Sequence, residues 1–179
     1  AAAKATGASF ISTNDVLTSS FASLVGARLC MMAINLRGRV EGILPSDAGN
    51  YEGMLLLDYE TCGTPAAVRA TLQSGPPYGS ARSTPLPGVC GGISSRIAQI
   101  TNWCTFSEDL SFDGCAERLH LPIVDLRMIP YECSIVFRPS PGKVGVLYLT
   151  KKYQRAHFST SGAPLGGSIS TAMFGDEHK

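Results

Sequence analysis

Cysteine and histidine are the residues of this chain whose chemistry would be easiest to recognise from spacing. The 179 residues include six cysteines and three histidines. No CxxC pair occurs, and no cysteines and histidines have the separation of a zinc site. A nucleophilic pair of Cys133 with His120 or His157 stays an open alternative, because such a pair needs proximity in space and not in sequence. The pattern favours buried, reduced thiols and predicts no metal site.

Carboxylates and glycines give no stronger catalytic pattern. The acidic side chains have no spacing that indicates a paired general acid and base, so we expect solvated loop charges at Asp58, Glu60, Glu108, Asp109 and Asp113. Gly91-Gly92 and Gly166-Gly167 do not follow a strand with the GxGxxG spacing of a dinucleotide site. We expect His120 to be a core or turn histidine.

Composition narrows the classes of partner. Net charge is +1 and charged residues make up 16% of the chain, which disfavours a protein that binds nucleic acid through its phosphates. No stretch reaches the ~18 consecutive apolar residues of a transmembrane helix. The Ala-rich start without Met indicates a processed N-terminus, which fits an organelle, a plastid among others, or the cytoplasm. The low charge suggests a surface that is partly covered by another protein.

The first half of the chain predicts two helices and two strands. Apolar residues repeat at helical spacing over 14–29, after N-capping side chains at 12–14. Strands are predicted over 30–37 and 51–59, and the residues between them form a loop rich in glycine. Thr64 and Pro65 have the order of an N-cap and a first helical residue, so a short helix is predicted over 65–73.

The second half predicts strands. Residues 74–92 are rich in glycine and proline and form a long loop. A strand is predicted over 97–103, and a hairpin joins 133–138 to 143–149 through a type II turn at Pro141-Gly142. The fold class is therefore α/β (α+β), with a mixed, mostly antiparallel sheet flanked by helices. We expect one domain over 11–158, between a flexible segment at 1–10 and a Ser/Gly-rich tail at 159–179.

Several short motifs resemble, in their order along the chain, the C-terminal half of BAHD and trichothecene-type CoA-dependent acyltransferases, a superfamily with the chloramphenicol acetyltransferase-like fold. They are Ser12–Thr18, Ala33–Arg39, Leu44-Pro45, Gly49-Asn50, Thr101–Trp103, Ser111–Gly114 and Ile135–Pro139. The resemblance covers about residues 10–153. It implies one of two similar subdomains, with an active-site tunnel between them.

The same resemblance implies roles for individual residues. Arg37 matches an arginine that pairs with the aspartate of the family's HxxxD motif, and Thr101 and Trp103 match tunnel positions. Asn102 lies between them, and Asp113 and Gly114 match a degraded DFGWG motif of structural role. HxxxD itself, whose His is the general base, is absent from this chain. Arg37 then needs another partner, and no catalytic residue or cofactor is expected here.

Three functions follow as hypotheses. The first is a non-catalytic accessory or structural subunit, a pseudoenzyme within a larger assembly. The second is the C-terminal half of a split or processed enzyme, an O- or N-acyltransferase that uses a CoA thioester when another chain supplies the His. The third is an unrelated small enzyme. In the first two, half of a tunnel-forming fold exposes an apolar face, so we expect a protein partner to cover it.

Overall fold

The structure, a computed structural model, describes residues 9–74, 96–105, 111–116, 120–122 and 132–150. Most of the predicted loop at 74–92 and the whole tail at 159–179 lie outside these residues. The helices and strands are α1 Thr13–Leu24, β1 Leu29–Asn35, β2 Glu52–Asp58, α2 Tyr59–Cys62, α3 Pro65–Gln73, β3 Ile97–Asn102, β4 Ser111–Phe112, β5 Cys115–Ala116, β6 Glu132–Phe137 and β7 Gly145–Leu149.

Five strands form a mixed sheet in the order β2-β1-β3-β6-β7. The central strands β1, β3 and β6 are parallel, and the outer strands β2 and β7 are antiparallel to their neighbours. The short strands β4 and β5 form a separate antiparallel pair. The α/β class and the mixed sheet with helices are confirmed.

One face of the sheet is covered by the helices, and we call it the covered face. Side chains alternate between faces along a strand, so the register assigns the residues of each face. The covered face and the helices share one core, which includes Cys30, Met32, Leu55, Leu57, Ala98, Ile100 and Val136 of the strands with Leu17, Phe21, Val25 and Val68 of the helical layer. This core holds the helices on the sheet.

Helix α1 is shorter than its apolar periodicity predicts. It starts with a capping box between Ser12 and Asp15, as its N-capping residues predict. The periodicity continues to residue 29, but the helix ends at Leu24 because Gly26 adopts a φ of 59°. The amide of Gly26 donates to Ser23 O at 3.1 Å and that of Ala27 to Ala22 O at 2.8 Å, which is a Schellman motif. The chain can then turn directly into β1.

A polar clamp joins α3 to the start of α1. The Arg69 guanidinium donates to both carboxylate oxygens of Asp15, at 2.9 and 3.0 Å, and to Ser12 Oγ at 2.8 Å. It also lies 4.3 Å from the centre of the Phe10 ring, and Gln73 exchanges hydrogen bonds with Ser9. Asp15 is fully buried, so Arg69 supplies the charge that makes its burial tolerable.

The β6–β7 hairpin has the predicted turn. The amide of Lys143 donates to Ser140 O at 3.1 Å, and Gly142, at the third turn position, has a φ of 72°. Directly across the ladder, Phe137 pairs with Gly145. A Cβ atom at Gly145 would lie 2.8 Å from the Phe137 ring, so the ring occupies the space that a side chain would fill.

Candidate functional site

The carboxyl ends of β1, β3 and β6 lie at one edge of the sheet, which we call the carboxyl edge. Because these three strands are parallel, the residues that end or follow each of them are neighbours in space. Arg37 follows β1, while Thr101, Asn102 and Trp103 end or follow β3. The fold therefore brings Arg37 to the same edge as Thr101, Asn102 and Trp103, which lie 64 or more positions later in the chain.

Arg37 is held by backbone carbonyls. Its Nε donates to Asp47 O at 2.7 Å, its Nη2 donates to Gly49 O, and its Nη1 donates to Asn35 Oδ1 at 3.3 Å. The guanidinium lies 5.1 Å from the centre of the Tyr51 ring. In the part of the chain that the structure describes, no carboxylate forms an ion pair with Arg37. These carbonyls supply the other partner that Arg37 needs, and the side chain fixes the loop between β1 and β2.

Thr101 and Trp103 are bonded to each other. The Trp103 indole Nε1 donates to Thr101 Oγ1 at 3.0 Å, and the Trp103 amide donates to Val136 O at 2.7 Å. The indole packs on Cys133, Ile135 and Leu149, which form a small second core. The indole N–H is thus engaged within the protein, whereas the Thr101 hydroxyl still has its own proton to donate.

Asn102 ties the carboxyl edge to the first helix. Its Nδ2 donates to Asn14 Oδ1 at 3.0 Å, and its Oδ1 accepts from the Cys104 amide at 2.9 Å. The amide nitrogen therefore joins α1 to β3, and the amide oxygen fixes the backbone of residue 104 after β3. Sequence reasoning did not select Asn14 for this edge, because the contact spans 88 positions and depends on how the helix packs on the sheet.

Asp113 and Gly114 form the tip of the β4–β5 hairpin. Both are exposed, and Gly114 has a φ of 77°, which glycine adopts at little cost. No hydrogen bond within the described ranges joins this turn to Arg37, Thr101 or Trp103. The structural role that the resemblance implies for this motif stays a prediction.

The proposed pairing of Cys133 with His120 is wrong. The amide of His120 donates to Pro139 O at 3.0 Å, beyond the carboxyl end of β6, whereas Cys133 lies near the amino end of the same strand. At ~3.3 Å per residue, the segment from Cys133 to Phe137 alone is about 13 Å long. Burial also raises the pKa of the Cys133 thiol to about 11, which keeps it neutral. His157 lies outside the described residues.

The cysteines that the structure describes differ in burial. Cys30, Cys62 and Cys133 are buried, as expected, but Cys104 is half-buried and Cys115 is exposed. Burial raises the pKa of Cys62 to about 11, and the Asp58 charge adds to the rise. Burial also raises the pKa of Cys104, against the opposing effect of Arg138. Among the residues described, no three metal-binding side chains form a group.

The face of the sheet opposite the helices, which we call the second face, is covered by side chains on one side and partly exposed on the other. We call these the closed side and the open side. Over β6 and β7 it is closed by Trp103 on Cys133, Ile135 and Leu149. Over β1 and β2 it presents Met31, Ala33, Met54 and Leu56, which are half-buried or exposed; Met54 is 50% exposed. We call these four residues the open patch. The strands β1 and β2 form an antiparallel pair, and the solvated face of an antiparallel sheet is normally polar, so an apolar surface here is unusual.

Comparisons with known proteins identify no family for the chain. No family model matches it, and no curated protein is significantly similar. Among solved structures, the crystal structure of vinorine synthase matches with 16% identity and a TM-score of 0.48. The match covers 83% of this chain and 40% of that protein. Within the described residues, no helix has the length and hydropathy that crossing a membrane requires.

Proposed function

We propose that this chain is a non-catalytic, acyltransferase-like subunit that binds a protein partner through the open patch. The observation that carries the proposal is the exposure of Met54 beside Met31, Ala33 and Leu56, on the face of the strands opposite the helices. Removing such apolar side chains from water against a partner contributes about 25 cal/mol per Å² of apolar surface, which offsets the entropic costs of association. Methionine suits such a contact because its flexible side chain adapts to the partner's shape.

The residues at the carboxyl edge support a structural use of the fold. Arg37 is engaged with the carbonyls of Asp47 and Gly49, and the Trp103 indole with Thr101. Asn102 uses both ends of its amide to fix α1 and residue 104. The hydrogen bonds of Arg37, Asn102 and the Trp103 indole are thus also explained as contacts that stabilise this domain.

Copurification with a matched pair of variants tests the proposal. The full chain is isolated from its source and its native mass is measured, with each associated chain identified. We expect Met54→Glu to remove the associated chain, because the variant places a charge in the centre of the contact. Leu44→Glu is the control, since Leu44 is 60% exposed in the loop after β1 and lies off the patch. Equal association of both variants would contradict the proposal.

A second candidate is the C-terminal half of a split CoA-dependent acyltransferase. It is favoured by the placement of Arg37, Thr101 and Trp103, three positions that match the family's motifs, at one edge of the sheet. The Thr101 hydroxyl retains a proton that could stabilise a developing negative charge there. The His would come from another chain, and the CoA thioester would bind only to the assembled pair.

The identity and activity of the copurifying chain separate the two candidates. If it contains HxxxD, the pair should transfer an acyl group from a CoA thioester. Arg37→Ala should then lower kcat/KM by more than about tenfold, since the loop that Arg37 holds would lose its shape. Arg39→Ala is the control, because Arg39 is exposed in the same loop. An associated chain without HxxxD, and no transfer activity, would favour the non-catalytic subunit.

A further inference from the structure

Two polar side-chain atoms of β6 are buried on the covered face and have no hydrogen-bond partner in the described part of the chain. Ser134 is 0% exposed, and its Oγ has no hydrogen-bond partner among the residues that the structure describes. The same holds for Oε2 of Glu132, an atom that is shielded from solvent. Buried polar atoms in folded proteins nearly always have a partner, either protein or water. Two such atoms in one strand call for a common explanation.

The register places the two residues that carry these atoms next to each other on one face of the sheet. Glu132 and Ser134 are two positions apart on one strand, so they share a face and their Cα atoms are about 6.6 Å apart. Across the ladder with β3 they lie opposite Ala98 and Ile100, which have no polar side-chain atom to offer.

The surroundings keep bulk solvent away from this position. On the other side of β6, Ser134 pairs with Tyr148, whose ring is stacked on that of Phe21 with centroids 5.2 Å apart. Burial raises the pKa of the Tyr148 phenol to about 12, which reflects the low polarity of this part of the core. The Ser134 end of the position is therefore shielded from bulk solvent, while Glu132, at the start of β6, is half-buried.

We propose that Ser134 Oγ and Glu132 Oε2 bind one internal water molecule between β6 and the helical layer. A water that bonds two atoms at ~2.8 Å each can bridge a gap of up to about 5.6 Å, which suits side chains two positions apart. It can donate to the carboxylate oxygen and exchange a hydrogen bond with the hydroxyl, and buried waters typically make about three such bonds. This site is independent of the open patch and of any partner.

A crystal structure of the full chain is the first test. We expect a solvent peak within hydrogen-bond distance of both Ser134 Oγ and Glu132 Oε2. The absence of a peak would overturn the proposal, and so would a side chain from elsewhere in the protein in its place.

The second test compares substitutions at Ser134 by denaturant unfolding. A bound water predicts that Ser134→Ala increases the unfolding constant about fivefold, because the water loses a partner. It also predicts that Ser134→Val costs more than Ser134→Ala, since the added methyl group expels the water and leaves Glu132 Oε2 without a partner. A dry, closely packed site predicts instead that Ala stabilises by removing an unbonded hydroxyl, while Val destabilises by overpacking, so the sign of the alanine effect separates the two cases.

Ser19→Ala is the matched control for the loss of a buried hydroxyl. Ser19 is 4% exposed, and its Oγ donates to Val16 O at 3.2 Å, so this substitution removes a bond that the protein itself makes. We expect it to increase the unfolding constant by about the same factor as Ser134→Ala. The proposal needs both the solvent peak and this order of stabilities, and failure of either overturns it.

Discussion

The two faces of the central sheet differ in how fully they are buried. On the covered face, alternate residues of β1 and β2, such as Met32 and Leu57, are buried against helices of the same chain. On the second face, their sequence neighbours Met31 and Leu56 are only half-buried, and Met54 is 50% exposed. The chain itself therefore encodes the packing of one face, while the other face is apolar and is only partly covered by the described residues.

The largest contrast is expected between two adjacent leucines of β2. Leu57 is 0% exposed on the covered face, so Leu57→Ala should lower the free energy of unfolding by about 3 kcal/mol through lost burial and a cavity. Leu56 faces the other way and is half-buried, so Leu56→Ala should cost about 1 kcal/mol. Urea unfolding of both variants measures the difference. Equal losses would show that the two faces are packed alike.

The polar clamp of the helical layer should have the next largest effect. Arg69→Ala leaves the fully buried Asp15 carboxylate without its guanidinium, and we expect a loss of about 2.5 kcal/mol. Arg39→Ala, at an exposed loop position, should change stability by less than about 0.5 kcal/mol. Thermal unfolding compares the two. A loss below 1 kcal/mol for Arg69→Ala would mean that the helices need no clamp to stay on the sheet.

Alkaline titration tests whether the closed side of the second face excludes water as the helical layer does. The pKa of Cys62, beneath the helices, and that of Cys133, on the closed side of the second face, are both raised from 9.0 to about 11 by burial. Since the folded pKa exceeds the unfolded one, the stability that each neutral thiol contributes is complete below about pH 8.5. It is lost as the pH rises through 9 towards 11.

Substitution of the thiols provides the measurement. Cys62→Ala and Cys133→Ala should each flatten the fall in unfolding free energy above pH 9. If Cys133→Ala leaves the slope as steep as in the parent protein, the second face is open to solvent over β6 as well.

The smallest effect is expected within the open patch. Met54→Ser removes a half-exposed apolar side chain and should alter the stability of the isolated chain by less than about 0.5 kcal/mol. Because the substitution reduces apolar surface, it should lower self-association, measured by sedimentation velocity at increasing protein concentration. A loss of more than 1.5 kcal/mol would show that Met54 is part of the chain's own core.

Local signals explain which elements the sequence predicts well. Thr64 accepts a hydrogen bond as the N-cap and Pro65 is the first residue of α3, as their order predicts, and Pro141-Gly142 forms the predicted turn. The end of α1 is missed because apolar residues continue at helical spacing past Gly26, whose left-handed backbone stops the helix. The four-residue helix α2, capped by Asp58, is too short for a periodic pattern and is also missed.

The candidate site is less predictable because its contacts are distant in sequence. The resemblance selects Arg37, Thr101 and Trp103, and the parallel strands do bring their positions to one edge. The partners of Arg37 are backbone carbonyls whose positions depend on the shape of a loop, and no side-chain pattern encodes them. The distance between Cys133 and His120 depends likewise on which end of β6 each residue reaches.

The Phe137 ring over Gly145 limits which sequences can form this hairpin. Any side chain at position 145 would have to displace an aromatic ring that is 7% exposed, because the space at its Cβ position is already filled. Gly145 is not at the turn and needs no left-handed backbone. In a complete substitution scan, position 145 should therefore be as intolerant as a core residue, and replacement of Phe137 by a smaller side chain should restore tolerance to alanine there.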